Sequence, residues 1–254
     1  MADSVLRHNH ERGAHLLVMD HGANALDLEL LDALVEKMAD LKDAGGPPFV
    51  LASSHPTVFS PGRNLKHLGT AGRDEVAAVL SRFNAAILAL FSYPGPTAAA
   101  IAGHAVAGGC HLALACDLRI MATGRPRLGL AELNLGVPVP TGSLRMLRAR
   151  VGPAVVEDLV LRGEGYDARR ARERSLVQRV VSPTEVIGTA ERELGQLAAK
   201  SKLAFAATKE ALYSDIWSKM QQTRSEDEKT FLECWFEPET RERISEVARG
   251  LGQE

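Results

Sequence analysis

Short continuous apolar runs alternate along this chain with segments whose apolar positions recur every three or four residues. Leu28, Leu31, Leu34, Val35, Met38 and Leu41 follow the helical spacing, which predicts an amphipathic helix from Asp27 to Lys42 with Asp27 as its cap. A second long helix is expected over Asp74 to Phe91, ended by Tyr93-Pro-Gly-Pro96. His15 to Met19, Phe49 to Ala52, Thr97 to Ala102 and Leu118 to Met121 read as short strands. Gly45-Gly-Pro-Pro48 and Ser60-Pro-Gly-Arg-Asn64 read as breaks and turns. Strands alternating with helices predict an α/β domain with a largely parallel core. After about residue 140 the pattern turns helical: Thr141–Arg150, Pro153–Leu161, Asp167–Glu173, Pro183–Lys200, Leu203–Gln222, Glu226–Trp235 and Glu239–Leu251. The apolar residues of this tail, among them Leu203, Leu212, Phe231 and Trp235, need burial against their own core or a neighbouring subunit.

Composition narrows the function classes. The 254 residues are 45% hydrophobic and 24% charged, with a net charge of -2. No global basic field favours nucleic acid or an anionic membrane. No apolar run approaches the ~20 residues that span a bilayer. The N-terminus lacks the basic and apolar segments of a signal peptide. Cys110, Cys116 and Cys234 have no CxxC spacing and are expected to be reduced thiols in a cytoplasmic protein, with no disulfide framework and no metal site.

The segment His104-Ala-Val-Ala-Gly-Gly-Cys-His-Leu-Ala-Leu-Ala-Cys-Asp117 carries the most chemistry. An apolar strand stops at Gly108 and Gly109, and a helix-like stretch follows. Adjacent glycines let another molecule approach the backbone closely. The first turn of a helix has N–H groups without intrahelical acceptors and lies at the positive end of the dipole. Such a junction can hold an oxygen that becomes anionic during a reaction. Asp117 is expected to end this helix through a backbone contact, and His104 to be structural.

These motifs resemble the crotonase superfamily, also called the enoyl-CoA hydratase/isomerase family, over nearly the whole chain. The resemblance rests on Asn24-Ala-Leu-Asp27, Phe59-Ser-Pro-Gly-Arg-Asn-Leu-Lys66, Ala107-Gly-Gly-Cys-His-Leu-Ala-Leu-Ala-Cys-Asp117 and Leu128-Gly-Leu-Ala-Glu-Leu-Asn-Leu-Gly136, in that order. Phe236-Glu-Pro-Glu-Thr-Arg-Glu-Arg-Ile244 matches the C-terminal region loosely. The resemblance implies a crotonase-like α/β spiral of ββα units over residues 1–195 with the acyl-CoA site, and a helical C-terminal trimerisation region over 196–254. It also implies a homo-oligomer (trimer or hexamer) and an acyl-CoA thioester substrate. Coenzyme A is then part of the substrate, and no separate cofactor is expected. The backbone N–H groups of Arg63 and Gly108 would hold the thioester oxygen.

The hydratases resembled here use two glutamates. The later one corresponds to Glu132; the earlier position holds His111. Shifting a 3-enoyl to a 2-enoyl thioester needs only one carboxylate, near an apolar pocket that raises its pKa toward neutrality. The favoured reading is therefore a 3,2-enoyl-CoA isomerase with Glu132 as proton shuttle. The alternatives are hydratase-like, hydrolase or lyase chemistry using His111 with Glu132, and a non-catalytic acyl-CoA-binding homologue. Glu132 could instead be a structural partner of an arginine, and His111 a packed core histidine.

On the CoA side, Ala25 and Leu26 are expected to line the adenine and pantetheine path, with Lys66, Lys202 and Lys209 as candidates for phosphate charges. Arg63 departs from the small or aliphatic residue common at its position. Its guanidinium could reach a CoA phosphate or be solvated on the turn.

Overall fold

The short apolar runs pair side by side, because each is buried on both faces and satisfies its backbone only in a sheet. A computed structural model describes residues 5–11 and 14–250. Its strands are β1 (Leu6–Glu11), β2 (Ala14–Met19), β3 (Phe49–Ser53), β4 (Val58–Ser60), β5 (Thr97–Ile101), β6 (His104–Val106), β7 (Leu118–Ala122), β8 (Leu128–Gly129), β9 (Gly165–Tyr166) and β10 (Arg179–Val181). Six of them form one sheet in the order β1-β2-β3-β5-β7-β10, parallel except for the β1–β2 pair. In a second sheet, β4-β6-β8-β9, the strands β4, β6 and β8 follow β3, β5 and β7 after short turns, and β9, coming after α7 (Pro153–Arg162), pairs antiparallel with β8. This stacking is the crotonase-like spiral, with the largely parallel core expected from the alternation of elements.

The helices are α1 (Leu28–Asp43), α2 (Leu65–Leu68), α3 (Arg73–Phe91), α4 (Gly108–Ala115), α5 (Glu132–Leu135), α6 (Thr141–Val151), α7 (Pro153–Arg162), α8 (Ala168–Glu173), α9 (Val186–Ala198), α10 (Lys202–Trp235) and α11 (Pro238–Gly250). Asp27 caps α1, its Oδ1 accepting the Leu30 N–H at 3.1 Å. Asn64 caps α2 in the same way. α4 is buried at every position, which is why its sequence is apolar all round.

Two expectations change. The helices expected at 203–222 and 226–235 are one helix, α10. The intervening Thr223-Arg-Ser225 has no glycine or proline to break it, and Thr223 Oγ1 bonds the Lys219 carbonyl one turn back. Arg224 also ties this stretch to Ser81 of α3. In addition, β1, β4, β6, β8, β9 and β10 have no strand signal in the sequence. All but β1 are two or three residues long, and β1 is a polar strand.

A buried ion cluster fastens α10 to the core. Asp117 sits just after α4, with Oδ1 3.1 Å from Arg150 Nη2 and Oδ2 2.8 Å from Lys209 Nζ. Its Oδ2 also accepts the Thr97 N–H at 2.9 Å, so Asp117 does end the central helix region on a backbone contact. Burial alone would push the Asp117 carboxyl up. The Lys209 and Arg150 charges override this and hold it below the usual aspartate range. Removing one partner leaves a buried charge uncompensated. Lys209→Met is therefore expected to lower unfolding free energy by about 3–5 kcal/mol in a urea titration. A depressed carboxylate stabilises above its unfolded pKa of roughly 4, and that contribution is lost as pH falls through the lower folded value. Wild type should accordingly resist acid to a lower pH than Lys209→Met.

Candidate active site

Three loops meet where the two sheets join. Asn24 adopts a left-handed backbone (φ 58), and its Nδ2 donates to Ser53 Oγ (2.7 Å) and the Phe59 carbonyl (3.2 Å). Ser60 Oγ donates to the Asn24 carbonyl at 2.8 Å. This network fixes the chain leaving β4. The Leu26 N–H then bonds the Gly62 carbonyl (2.8 Å), and the Asn64 N–H bonds the Leu26 carbonyl (3.2 Å). In such a parallel bridge the groups flanking residue 63 face Leu26, and the Arg63 amide faces the other way.

Gly62 has φ +89 and lies against the start of α4. A Cβ there would stand 2.9 Å from the Gly108 nitrogen. Ala107, just before it, has φ 49 and ψ -119, a conformation that costs an L residue about 1–3 kcal/mol. That strain turns the chain so that α4 begins directly against the 60–63 turn. Gly108 opens the helix, so its N–H has no intrahelical acceptor. The Arg63 amide thus lies in the segment abutting the Gly108 amide, the arrangement a developing oxyanion requires.

Glu132 opens α5, just beyond β8, which pairs with β6. It is 1% exposed, and its Oε1 lies 3.1 Å from His111 Nε2 on the first turn of α4. A carboxylate only accepts, so the shared proton belongs to His111 Nε2. Glu132 Oε2 and His111 Nδ1 are buried without hydrogen-bond partners. Burial alone would push the Glu132 carboxyl up. The bond from His111, with the His111 and Arg63 charges, holds it below the usual glutamate range. This corrects the expected rise toward neutrality: the pocket is buried but not electrically apolar. Glu132 is therefore a carboxylate at neutral pH, ready to accept a proton.

The Arg63 side chain is the feature the sequence did not place. It is not solvated on the turn. It is 8% exposed, its Cζ lying 4.9 Å from the Phe83 ring centroid and 4.5 Å from that of Phe231. Phe83 in turn meets the His111 ring edge-on at 5.8 Å. Burial draws the Arg63 pKa down from its usual value, and Glu132 opposes that fall. Phe83 and Phe231 were visible in the sequence only as apolar positions on helices, and nothing there marked them as a clamp on an arginine.

The CoA candidates separate. Leu26 is buried with Cδ1 at Gly108, and Ala25 beside it is half-buried. Lys66 is exposed on a cleft shared with Gly69, Thr70 and Arg249. Lys202 is exposed on a different cleft, with Gly46, Pro48 and Pro94. Lys209 is corrected: its ammonium is buried and held by Asp117, so it cannot serve a phosphate. Cys110 and Cys116 are buried in the core, and burial pushes the Cys110 thiol well up. Among the described residues, no group of three or more His, Cys, Asp or Glu side chains could hold a metal ion.

A sequence model described as enoyl-CoA hydratase/isomerase matches residues 15–246. The chain belongs to the enoyl-CoA hydratase/isomerase family. A putative enoyl-CoA hydratase of Thermus thermophilus is 34% identical over 194 residues, 74% of this chain and 75% of that protein. The mitochondrial methylglutaconyl-CoA hydratase of Rattus norvegicus is 30% identical over 198 residues, 76% of this chain and 62% of that protein. In fold, the crystal structure of the human mitochondrial delta3-delta2-enoyl-CoA isomerase superposes with a TM-score of 0.93 at 24% identity, covering 98% of each chain. Membership places this chain among crotonase-type enzymes acting on acyl-CoA, and no helix among the described residues is long and apolar enough to cross a membrane.

Proposed function

We propose that this chain is a 3,2-enoyl-CoA isomerase. The observation that carries the reading is a single buried carboxylate, Glu132, beside the turn that brings residues 63 and 108 together, with His111 where a hydratase-like site would need a second acid. The thioester oxygen accepts from the Arg63 and Gly108 amides. Glu132 takes a proton from C2, and the electrons move onto the thioester oxygen as a dienolate. The protonated Glu132 then returns that proton to C4 as the C2–C3 double bond forms. His111 holds Oε1, leaving Oε2 as the oxygen that moves the proton. The remaining expectations, a cytoplasmic homo-oligomer assembled through the helical region of 196–254, belong to this proposal. Leu203 (82% exposed) and Leu212 (60%) on α10 support such an assembly.

The partnerless Nδ1 of His111 favours a second reading, in which His111 positions water for hydration. Substituting His111 by glutamine separates the two. The variant keeps an N–H donor for Glu132 but loses the ring base. The isomerase reading expects kcat for 3-hexenoyl-CoA isomerisation within about 10-fold of wild type, since general base catalysis stays with Glu132. Loss of about 100-fold or more, together with hydration of 2-hexenoyl-CoA by wild type that His111→Gln abolishes, would favour the second reading.

A further inference from the structure

Arg63 is a buried cation that the proton relay does not use. Among the described residues it forms no hydrogen bond or ion pair; its Nε is buried without an acceptor, and two aromatic faces are its direct contacts. An Nε buried without an acceptor is costly, and two ring faces at about 0.5–2 kcal/mol each supply no anion for the charge, while the two Nη groups remain open to a partner. The nearest opposite charge, on Glu132, acts on it without forming an ion pair. Phe83 and Phe231 cover its neighbourhood, so a bulky, strongly hydrated phosphate is poorly matched to it. A planar carboxylate, by contrast, fits the guanidinium fork edge-on.

The Arg63 backbone fixes where such a carboxylate would sit. On the isomerase reading, which this inference rests on, the Arg63 amide holds the thioester oxygen, while the arm of the same residue ends between Phe83 of α3 and Phe231 of α10. A carboxylate at the far end of a short acyl chain then spans about the reach of that arm. We infer that the substrate is the half-thioester of a short dicarboxylic acid, its distal carboxylate paired with the Arg63 guanidinium between Phe83 and Phe231. His111 holds Glu132 down most and Arg63 adds to it, so pairing Arg63 removes part of that hold and the base strengthens when the correct substrate is in place.

The test compares 3-hexenoyl-CoA with the CoA half-thioester of 3-hexenedioic acid, which has the same chain length and double bond. Wild type is expected to show kcat/KM about 100-fold higher for the dicarboxylic thioester, in line with a buried charge-assisted pair. Arg63→Leu should bring the ratio to one or below, and Arg63→Lys should leave it in between, because an ammonium lacks the fork. A wild-type ratio near one, or a ratio unchanged in Arg63→Leu, overturns the inference while leaving the isomerase reading intact. If neither thioester turns over, the isomerase reading fails. Calorimetric binding of the saturated pair, hexanoyl-CoA and adipoyl-CoA, then still decides the inference, because only an Arg63-dependent preference for adipoyl-CoA supports it.

Discussion

Glu132→Gln lowers kcat for double-bond migration by about 10²–10⁴-fold, the range lost with a positioned general base, while KM changes little. The amide is isosteric, and its carbonyl oxygen can still accept from His111 Nε2, so the site keeps its shape and loses only the group that carries the proton. The pH dependence follows from the same environment. Glu132 must be ionised to take the C2 proton, and its carboxyl lies below the usual glutamate range. Rate should therefore stay level from neutral pH down through the ordinary glutamate value of roughly 4.3, and fall only as pH drops through the lower value. A substrate that neutralises Arg63 moves that limb upward, because the cation beside the carboxylate has been paired. Steady-state kinetics of both proteins from acid to neutral pH measure both effects.

Gly109→Ala carries the largest expected structural effect. A Cβ at position 109 would stand 2.1 Å from the Ser60 carbonyl oxygen, 2.8 Å from its carbon and 2.9 Å from its Cβ. The first two contacts are backbone, so no side-chain rotation relieves them. Either β4 or the start of α4 must move, and those segments hold residues 63 and 108 together. We expect a loss of more than about 3 kcal/mol in unfolding free energy and loss of acyl-CoA binding in whatever protein remains folded, read by urea titration and calorimetry. Gly108→Ala is a useful contrast. Its Cβ would meet Leu26 Cδ1 at 2.8 Å and Phe83 Cε2 at 3.2 Å, side-chain atoms that can give way, and its one backbone contact, Gly62 Cα, is looser at 3.3 Å.

The elements that position the site were legible where periodicity was strong. α1, α3 and the strands β2, β3, β5 and β7 carry either a helical stripe or an unbroken apolar run, and the Gly108-Gly109 junction announces itself by composition. The short strands β4, β6, β8 and β9 do not, because two or three residues hold no period; tertiary pairing alone defines them. The electrostatics were the least legible part. Glu132 is flanked in sequence by Leu130, Leu133 and Leu135, which suggests an apolar pocket and a raised pKa. In space its neighbours are His111 and the guanidinium of Arg63, from elements twenty or more positions away. Lys209 shows the same limit: sequence presents it as one more lysine on a long polar helix, and only the fold brings it to Asp117. Arg63 was recognisable as an unusual residue, but its inward direction depends on Phe83 and Phe231, which are distant in the chain.

Incubation of the protein with 3-hexenoyl-CoA and with the CoA half-thioester of 3-hexenedioic acid in ¹⁸O-labelled water, alongside Glu132→Gln, tests the proton shuttle most directly. The account predicts 2-enoyl products free of ¹⁸O from wild type, and a rate cut by at least about 100-fold in the variant. Labelled 3-hydroxyacyl product from wild type, or equal isomerisation rates in the two proteins, would contradict it.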